Sequence, residues 1–186
     1  WEQHEEAVDV EMQTHIPVFT ENKDREITAA PGEAYNFLLE GDNLHSLRLL
    51  EKTHKGKIDV IYIDPPYNTG KKDDFIYNDI YVDKDDAFRH SKWLSFMSKR
   101  LKIARNLLSE RGVIFIQISD IELAQLKCLC DEIYGESNFL NIVNVNMKNI
   151  AGASGGGEDK KLKKNCEYIL IYAKNYDLLP IFTGTY

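Results

Sequence analysis

Residues 58–70 read Ile58-Asp59-Val60-Ile61-Tyr62-Ile63-Asp64-Pro65-Pro66-Tyr67-Asn68-Thr69-Gly70, an aliphatic run that passes straight into Asp-Pro-Pro-Tyr and a polar turn. Ile58 to Ile63 predicts a short strand. Each of the two prolines fixes φ near −65° and lacks an N–H, so the chain can neither lengthen the sheet ladder nor enter a helix interior. Asp64 precedes a proline and is held extended, which presents its carboxylate and the Pro65 carbonyl at the strand's carboxyl end. In open α/β sheets that end is where ligands bind.

Two acceptors beside an aromatic plane suit a planar heterocycle carrying an exocyclic amino group. The ring stacks on Tyr67, and the amino hydrogens point at the Asp64 carboxylate and a backbone carbonyl. An adenine amino nitrogen is a poor nucleophile because its lone pair is delocalised into the ring. Acceptors around it favour a pyramidal nitrogen that can attack an electrophilic methyl group, and they face the charge that develops.

Upstream, Tyr35 to Leu39 predicts a strand and Gly41-Asp42 a turn into a helix, with Asp42 as N-cap or cofactor contact. Leu44, Leu47 and Leu50 share one face, and Lys55-Gly56 ends the helix. Strand, helix and the 58–63 strand then form a βαβ unit. Residues 1–34, with Pro17 and Pro31-Gly32, are expected to be a loosely packed lead-in.

Downstream, the acidic and aromatic stretch 71–90 stands where a substrate-covering loop would, with Phe75, Tyr77 and Tyr81 able to stack on bases or anchor the loop. Trp93, Phe96, Met97, Leu101, Ala104, Leu107 and Leu108 follow the i, i+3, i+4 period of a helix packed on a core. Gly112 is expected to stop that helix and Val113 to Ile118 to be a buried strand. Ser119-Asp120-Ile121-Glu122 has the form of a capping box opening a helix through Ile133. Phe139 to Met147 alternates as a half-exposed strand, and Glu167 to Ala173 is the last strand. Between them, residues 150–165 hold four glycines and Lys160, Lys161, Lys163 and Lys164. That stretch is either a solvated loop or a surface meeting DNA phosphates.

With 186 residues, 43% hydrophobic and 28% charged, the chain suits one globular domain with a real core. A net charge of −7 argues against a nucleic-acid binder that uses its whole surface. No run is long enough to span a membrane. Cys128, Cys130 and Cys166 form no C-x-x-C pair, so reduced, cytoplasmic thiols are expected. The five histidines show no metal-ligand spacing, and no metal site is read.

Asp64-Pro65-Pro66-Tyr67 resembles the catalytic motif of amino-methylating DNA methyltransferases. The strings GDNLHSLRLL (41–50) and IDVIYIDPPYNTG (58–70) resemble the modification subunit of type III restriction–modification systems, a likeness running from about Phe37 through Lys174. The resemblance implies a Rossmann-like α/β fold with a mostly parallel sheet and flanking helices. S-adenosylmethionine is then the cofactor and double-stranded DNA the partner, with a homodimer and a restriction or helicase subunit as further partners. The target adenine is rotated out of the duplex, stacked on Tyr67, held by Asp64 and the Pro65 carbonyl, and methylated on its 6-amino group. Asn68 orders the turn and contacts substrate. Asp64 and Asp42 are the cofactor-side residues.

Such enzymes also carry F-x-G-x-G at a strand end, where glycines let the backbone approach the cofactor. Here Gly32, Gly41 and Gly56 are isolated, and Phe182-Thr183-Gly184-Thr185-Tyr186 lacks the last glycine. By resemblance to the order in which the catalytic motif comes first, residues 35–186 are expected to be a methyltransferase domain cut before its cofactor motif. The alternatives are an amino-methyltransferase of cytosine or RNA, and a non-catalytic nucleic-acid-binding module.

Overall fold

The computed structural model describes residues 1–26, 30–34, 36–69, 85–147 and 166–182. A four-stranded sheet runs in the order β1 (Ile58–Ile63), β2 (Leu108–Ile118), β4 (Cys166–Ala173), β3 (Phe139–Asn146). The aliphatic run before the prolines forms β1. It pairs in parallel with β2, Ile61 facing Ile114 and Ile63 facing Ile116. β4 is antiparallel to both β2 and β3. The incomplete Rossmann-like α/β class stands, and within it the described sheet is mixed rather than mostly parallel. β2 reaches β4 through the intervening helix and β3, and the chain doubles back along β3 into β4.

The parallel crossover from β1 to β2 is made by α3 (Arg89–Leu107), the helix read from the Trp93 to Leu107 period. α3 buries Trp93, Met97 and Leu101 against Ile114, Ile116, Ile118, Leu170 and Tyr172 of the sheet. Burial of an aliphatic side chain such as Met97 or Leu101 contributes roughly 1.5–3 kcal/mol. α4 (Leu123–Tyr134) completes this layer with Leu126, Leu129, Cys130 and Tyr134. A smaller cluster joins α3 to α2 (Asn43–His54) through Leu44, Ile103 and Leu107. Asp42 caps α2, its Oδ1 accepting from the Leu44 N–H at 2.8 Å, and Gly56 beyond the helix takes φ +69°. Among the described residues no helix is long and apolar enough to cross a membrane.

Five expectations change. Residues 36–40 form no strand, with Phe37 and Leu38 exposed, and Tyr35 lies outside the described residues. A short apolar run becomes a strand only when it pairs, and among the described residues the outer edge of β1 stays unpaired, so the βαβ unit is β1–α3–β2 instead. The helix α3 ends at Leu107, and Gly112 lies inside β2, where a Cβ would meet the Ile58 carbonyl oxygen at 2.9 Å. The strand register shifts between Ile58 and Val60, and only glycine allows that close approach.

The first part of the lead-in is tied down rather than loose, whereas the described residues from 15 to 34 are exposed apart from Pro17. α1 (Ala7–Thr14) buries Val8, the carboxylate of Glu6 meets the buried Arg100 at 3.0 Å, and Asp9 pairs with Lys99. Charges spread over the sequence become ion pairs across an interface that only folding creates. Last, the capping box does not form. α4 starts at Leu123, and the Glu122 side chain turns into the interior instead of back to the backbone of Ser119.

Candidate active site

The strand directions gather the site. β1 and β2 are parallel and leave the sheet at one edge, through Asp64 and Ser119. β4 is antiparallel and enters at that same edge, which places Glu167 there. Two segments far apart in sequence, the exit of β2 and the entry of β4, therefore converge on the Asp-Pro-Pro-Tyr turn.

Within the turn the residues have separate fates. The Asp64 side chain is exposed at the end of β1. Among the described residues the Pro65 carbonyl accepts no hydrogen bond, whereas the Pro66 carbonyl accepts from the Trp93 indole N–H at 2.7 Å. The turn thus keeps two acceptors, the Asp64 carboxylate and the Pro65 oxygen, while Trp93 pins its back to α3.

Tyr67 is buried, at 8% exposure, within the main core. Its hydroxyl donates to Glu167 Oε2 at 3.0 Å, and the same oxygen accepts from Gln117 Nε2 at 2.8 Å. Gln117 Oε1 in turn accepts from the Tyr62 hydroxyl. Burial first, then the neighbouring Asp64 and Glu167 carboxylates, pushes the Tyr67 phenol far above the ordinary tyrosine range. It is a neutral donor at any working pH. As placed, the ring is a core wall and not an open stacking platform.

Asn68 is 1% exposed and takes φ 58°, the left-handed conformation that asparagine tolerates better than most residues. Its Nδ2 donates to Glu122 Oε1 at 2.6 Å and lies 3.4 Å from the Arg89 carbonyl. His90 Nδ1 stands 2.8 Å from the same Glu122 oxygen, and Arg89 Nε donates to His90 Nε2 at 3.2 Å. An Nε2 that accepts leaves Nδ1 as the protonated nitrogen, so the imidazole donates to Glu122. Glu122 is fully buried, and burial pushes its carboxyl above the ordinary value against the lowering pull of Asn68, His90 and Arg89.

Of the residues singled out from sequence, Asp64, Pro65, Pro66, Tyr67 and Asn68 are brought together in this one turn. Asn68 commits its amide to the protein interior, and Asp42, exposed, uses its Oδ1 for the cap of α2. Lys160, Lys161, Lys163 and Lys164, with Phe75, Tyr77 and Tyr81, lie outside the described residues, as does Gly184. Sequence reasoning missed Glu122, His90, Glu167 and the hydrogen-bonding role of Trp93. A signal existed for Glu122, which follows the carboxyl end of a strand parallel to β1. No group of three or more His, Cys, Asp or Glu able to hold a metal occurs among the described residues.

Residues 58–182 match the family described as DNA methylase. Over 155 residues the chain is 49% identical to a protein of Haemophilus influenzae described as the probable HindVI Mod subunit of a type III restriction-modification enzyme, covering 82% of this chain and 20% of that one. Over 169 residues it is 40% identical to the EcoPI Mod subunit of Escherichia phage P1, covering 78% of this chain and 25% of that one. The chain thus spans a fifth to a quarter of the length of these relatives. In fold it is similar to a protein of Thermus thermophilus described as a DNA modification methylase and solved complexed with S-adenosyl-L-methionine. That likeness has a TM-score of 0.50 at 16% identity, over 75% of this chain and 56% of that one.

Proposed function

The chain belongs to the DNA methylase family, and we propose that it carries the target-amine half of a site-specific DNA adenine methyltransferase within a restriction–modification system. The observation that carries this reading is the pair of acceptors at the end of β1, the exposed Asp64 carboxylate and the Pro65 carbonyl, on a turn anchored from behind by Trp93. Asp rather than Ser before the prolines supports adenine over cytosine, by resemblance. The Mod-subunit relatives support a DNA substrate and a restriction subunit as partner.

In this mechanism Asp64 and the Pro65 oxygen accept the two hydrogens of the adenine 6-amino group and localise the nitrogen lone pair. As the new N–C bond forms, positive charge grows on that nitrogen and the adjacent carboxylate offsets it. One proton then passes from the nitrogen to solvent water at the exposed end of β1, and no covalent bond to the protein is made. Stacking of the base on Tyr67 requires the ring to turn partly out of the core, away from Glu167. S-adenosylmethionine, when bound, would supply the methyl group by cleavage of its sulfonium–methyl bond and leave as the neutral thioether. Asp64 fits such a cofactor, standing exposed where the reacting ends meet. Asp42, exposed and using only its Oδ1 for the α2 cap, keeps Oδ2 for such a contact.

The test is incubation of the full-length protein with duplex DNA and methyl-labelled S-adenosylmethionine, followed by nucleoside analysis. Label in N6-methyl-2′-deoxyadenosine is the expected result. Label in N4-methylcytosine would overturn the adenine assignment, and no label on DNA of any sequence would overturn the methyltransferase reading.

A further inference from the structure

Two buried polar side chains meet behind the turn in a way that neither sheet formation nor helix capping requires. Glu122 lies in the first loop after β2, and Asn68 lies in the first loop after β1, 54 positions away. Their 2.6 Å bond stitches together the exits of two parallel strands, just beyond Pro65 and Pro66. His90 from the start of α3 binds the same carboxylate oxygen, with Arg89 fixing its tautomer. Glu122 Oε1 therefore receives a donor from the turn and a donor from α3. Its other oxygen, Oε2, and Asn68 Oδ1 are buried with no partner among the described residues.

A fully buried carboxylate with one unsatisfied oxygen is a liability for stability, since a charged group out of water carries a desolvation cost that a partial set of hydrogen bonds does not offset. What the arrangement does secure is conformation. Asn68 stands at φ 58°, which most residues avoid, and its side chain is fastened at the far end, so the backbone between Pro66 and Thr69 has little freedom left. Trp93 fastens the Pro66 carbonyl two residues earlier. Together they fix the direction in which Asp64 and the Pro65 carbonyl point.

We propose that Glu122 is a positioning residue for methyl transfer, acting through Asn68 to hold the Asp-Pro-Pro-Tyr turn in the orientation that presents its two acceptors. This rests on the methyltransferase reading above. Both donors go to Oε1, so an amide at position 122 serves as well as an acid. The essential feature is an acceptor at that point, and alanine supplies none.

The test uses the full-length protein with Glu122→Gln, Glu122→Ala and Asn68→Gly, the last removing the amide at a position where glycine accepts positive φ without strain. An exposed acid of α4, changed as Glu132→Gln, is the control. Glu122→Ala and Asn68→Gly are expected to lower kcat about 100-fold with KM for DNA changed less than about threefold, the pattern of a misplaced reacting group. Glu122→Gln and Glu132→Gln are expected to stay within about threefold of wild type. In parallel, hydrogen exchange of the peptide spanning Tyr67 to Thr69 is expected to speed at least about tenfold in Glu122→Ala and Asn68→Gly, and to stay unchanged in Glu122→Gln. Unchanged exchange and kcat in either of the first two variants overturns the proposal, as does a Glu122→Gln enzyme as impaired as Glu122→Ala. Should the wild type transfer no methyl group, the methyltransferase reading fails, and the exchange contrast still decides whether Glu122 holds the turn. If Glu122→Ala does not fold, Asn68→Gly carries the same decision.

Discussion

The indole N–H of Trp93 donates to the carbonyl oxygen of Pro66 at 2.7 Å, so the aromatic anchor of the main core is also the clamp on the Asp-Pro-Pro-Tyr turn. The periodicity of α3 accounts for the burial of Trp93 but not for the direction of its N–H. Trp93→Phe keeps most of the apolar contact and removes the donor. It is expected to destabilise the protein by about 2–3 kcal/mol, since a part-buried carbonyl is left unpaired and some ring volume is lost. It should also lower kcat in the folded fraction. Chemical denaturation with a parallel methylation assay checks both, and a variant with wild-type stability would show that the bond contributes nothing.

Asp64 is exposed and contributes no side chain to either hydrophobic cluster. Asp64→Ala is therefore expected to unfold within about 0.5 kcal/mol of wild type while methyl transfer falls below detection. Retained activity would sink the functional assignment. A large loss of stability would mean that the carboxylate is structural, held by Tyr67.

Gly112 stands against the Ile58 carbonyl oxygen and the Ser109 carbonyl oxygen, at 2.9 Å and 3.0 Å from where a Cβ would sit. Both obstacles are backbone, so the strands must part to admit a methyl group. Gly112→Ala is expected to cost about 1–3 kcal/mol. It lies at the end of the β1–β2 pair opposite the turn, so kcat per folded molecule should hardly change. Thermal unfolding and active-site titration on one preparation separate the two effects.

Glu122 gives a pH dependence of definite sign. Burial raises its carboxyl above the unfolded value of 4.5, so the native state favours the protonated form. That contribution to stability is fully present below the unfolded value and is lost as pH rises through the raised native one. Relative to wild type, Glu122→Gln should gain in unfolding midpoint as pH rises above 4.5, because the amide never ionises. Taking the difference between the two proteins cancels the other carboxylates, such as Asp9 and Asp131, whose shifts run downward. A difference that is flat with pH would show that Glu122 titrates normally.

The acceptor turn, the strand before it and the helix α3 were legible in the sequence because each is a local matter. Two prolines fix φ wherever they stand, and a short run of aliphatic and aromatic residues or a 3.6-residue period declares itself without reference to anything distant. The same local logic misled at Tyr35 to Leu39, where strand propensity did not bring the segment onto the edge of β1 left open among the described residues, and at Ser119 to Glu122, where a capping pattern gave way to a buried polar contact. Tertiary structure alone decided which carboxylates meet the turn. Glu167 reaches Tyr67 across 100 positions only because β4 runs antiparallel to β2, and Glu122 reaches Asn68 only because β1 and β2 end side by side. Strand order and direction are set by the free energy of packing distant segments into one core, which no stretch of consecutive residues encodes.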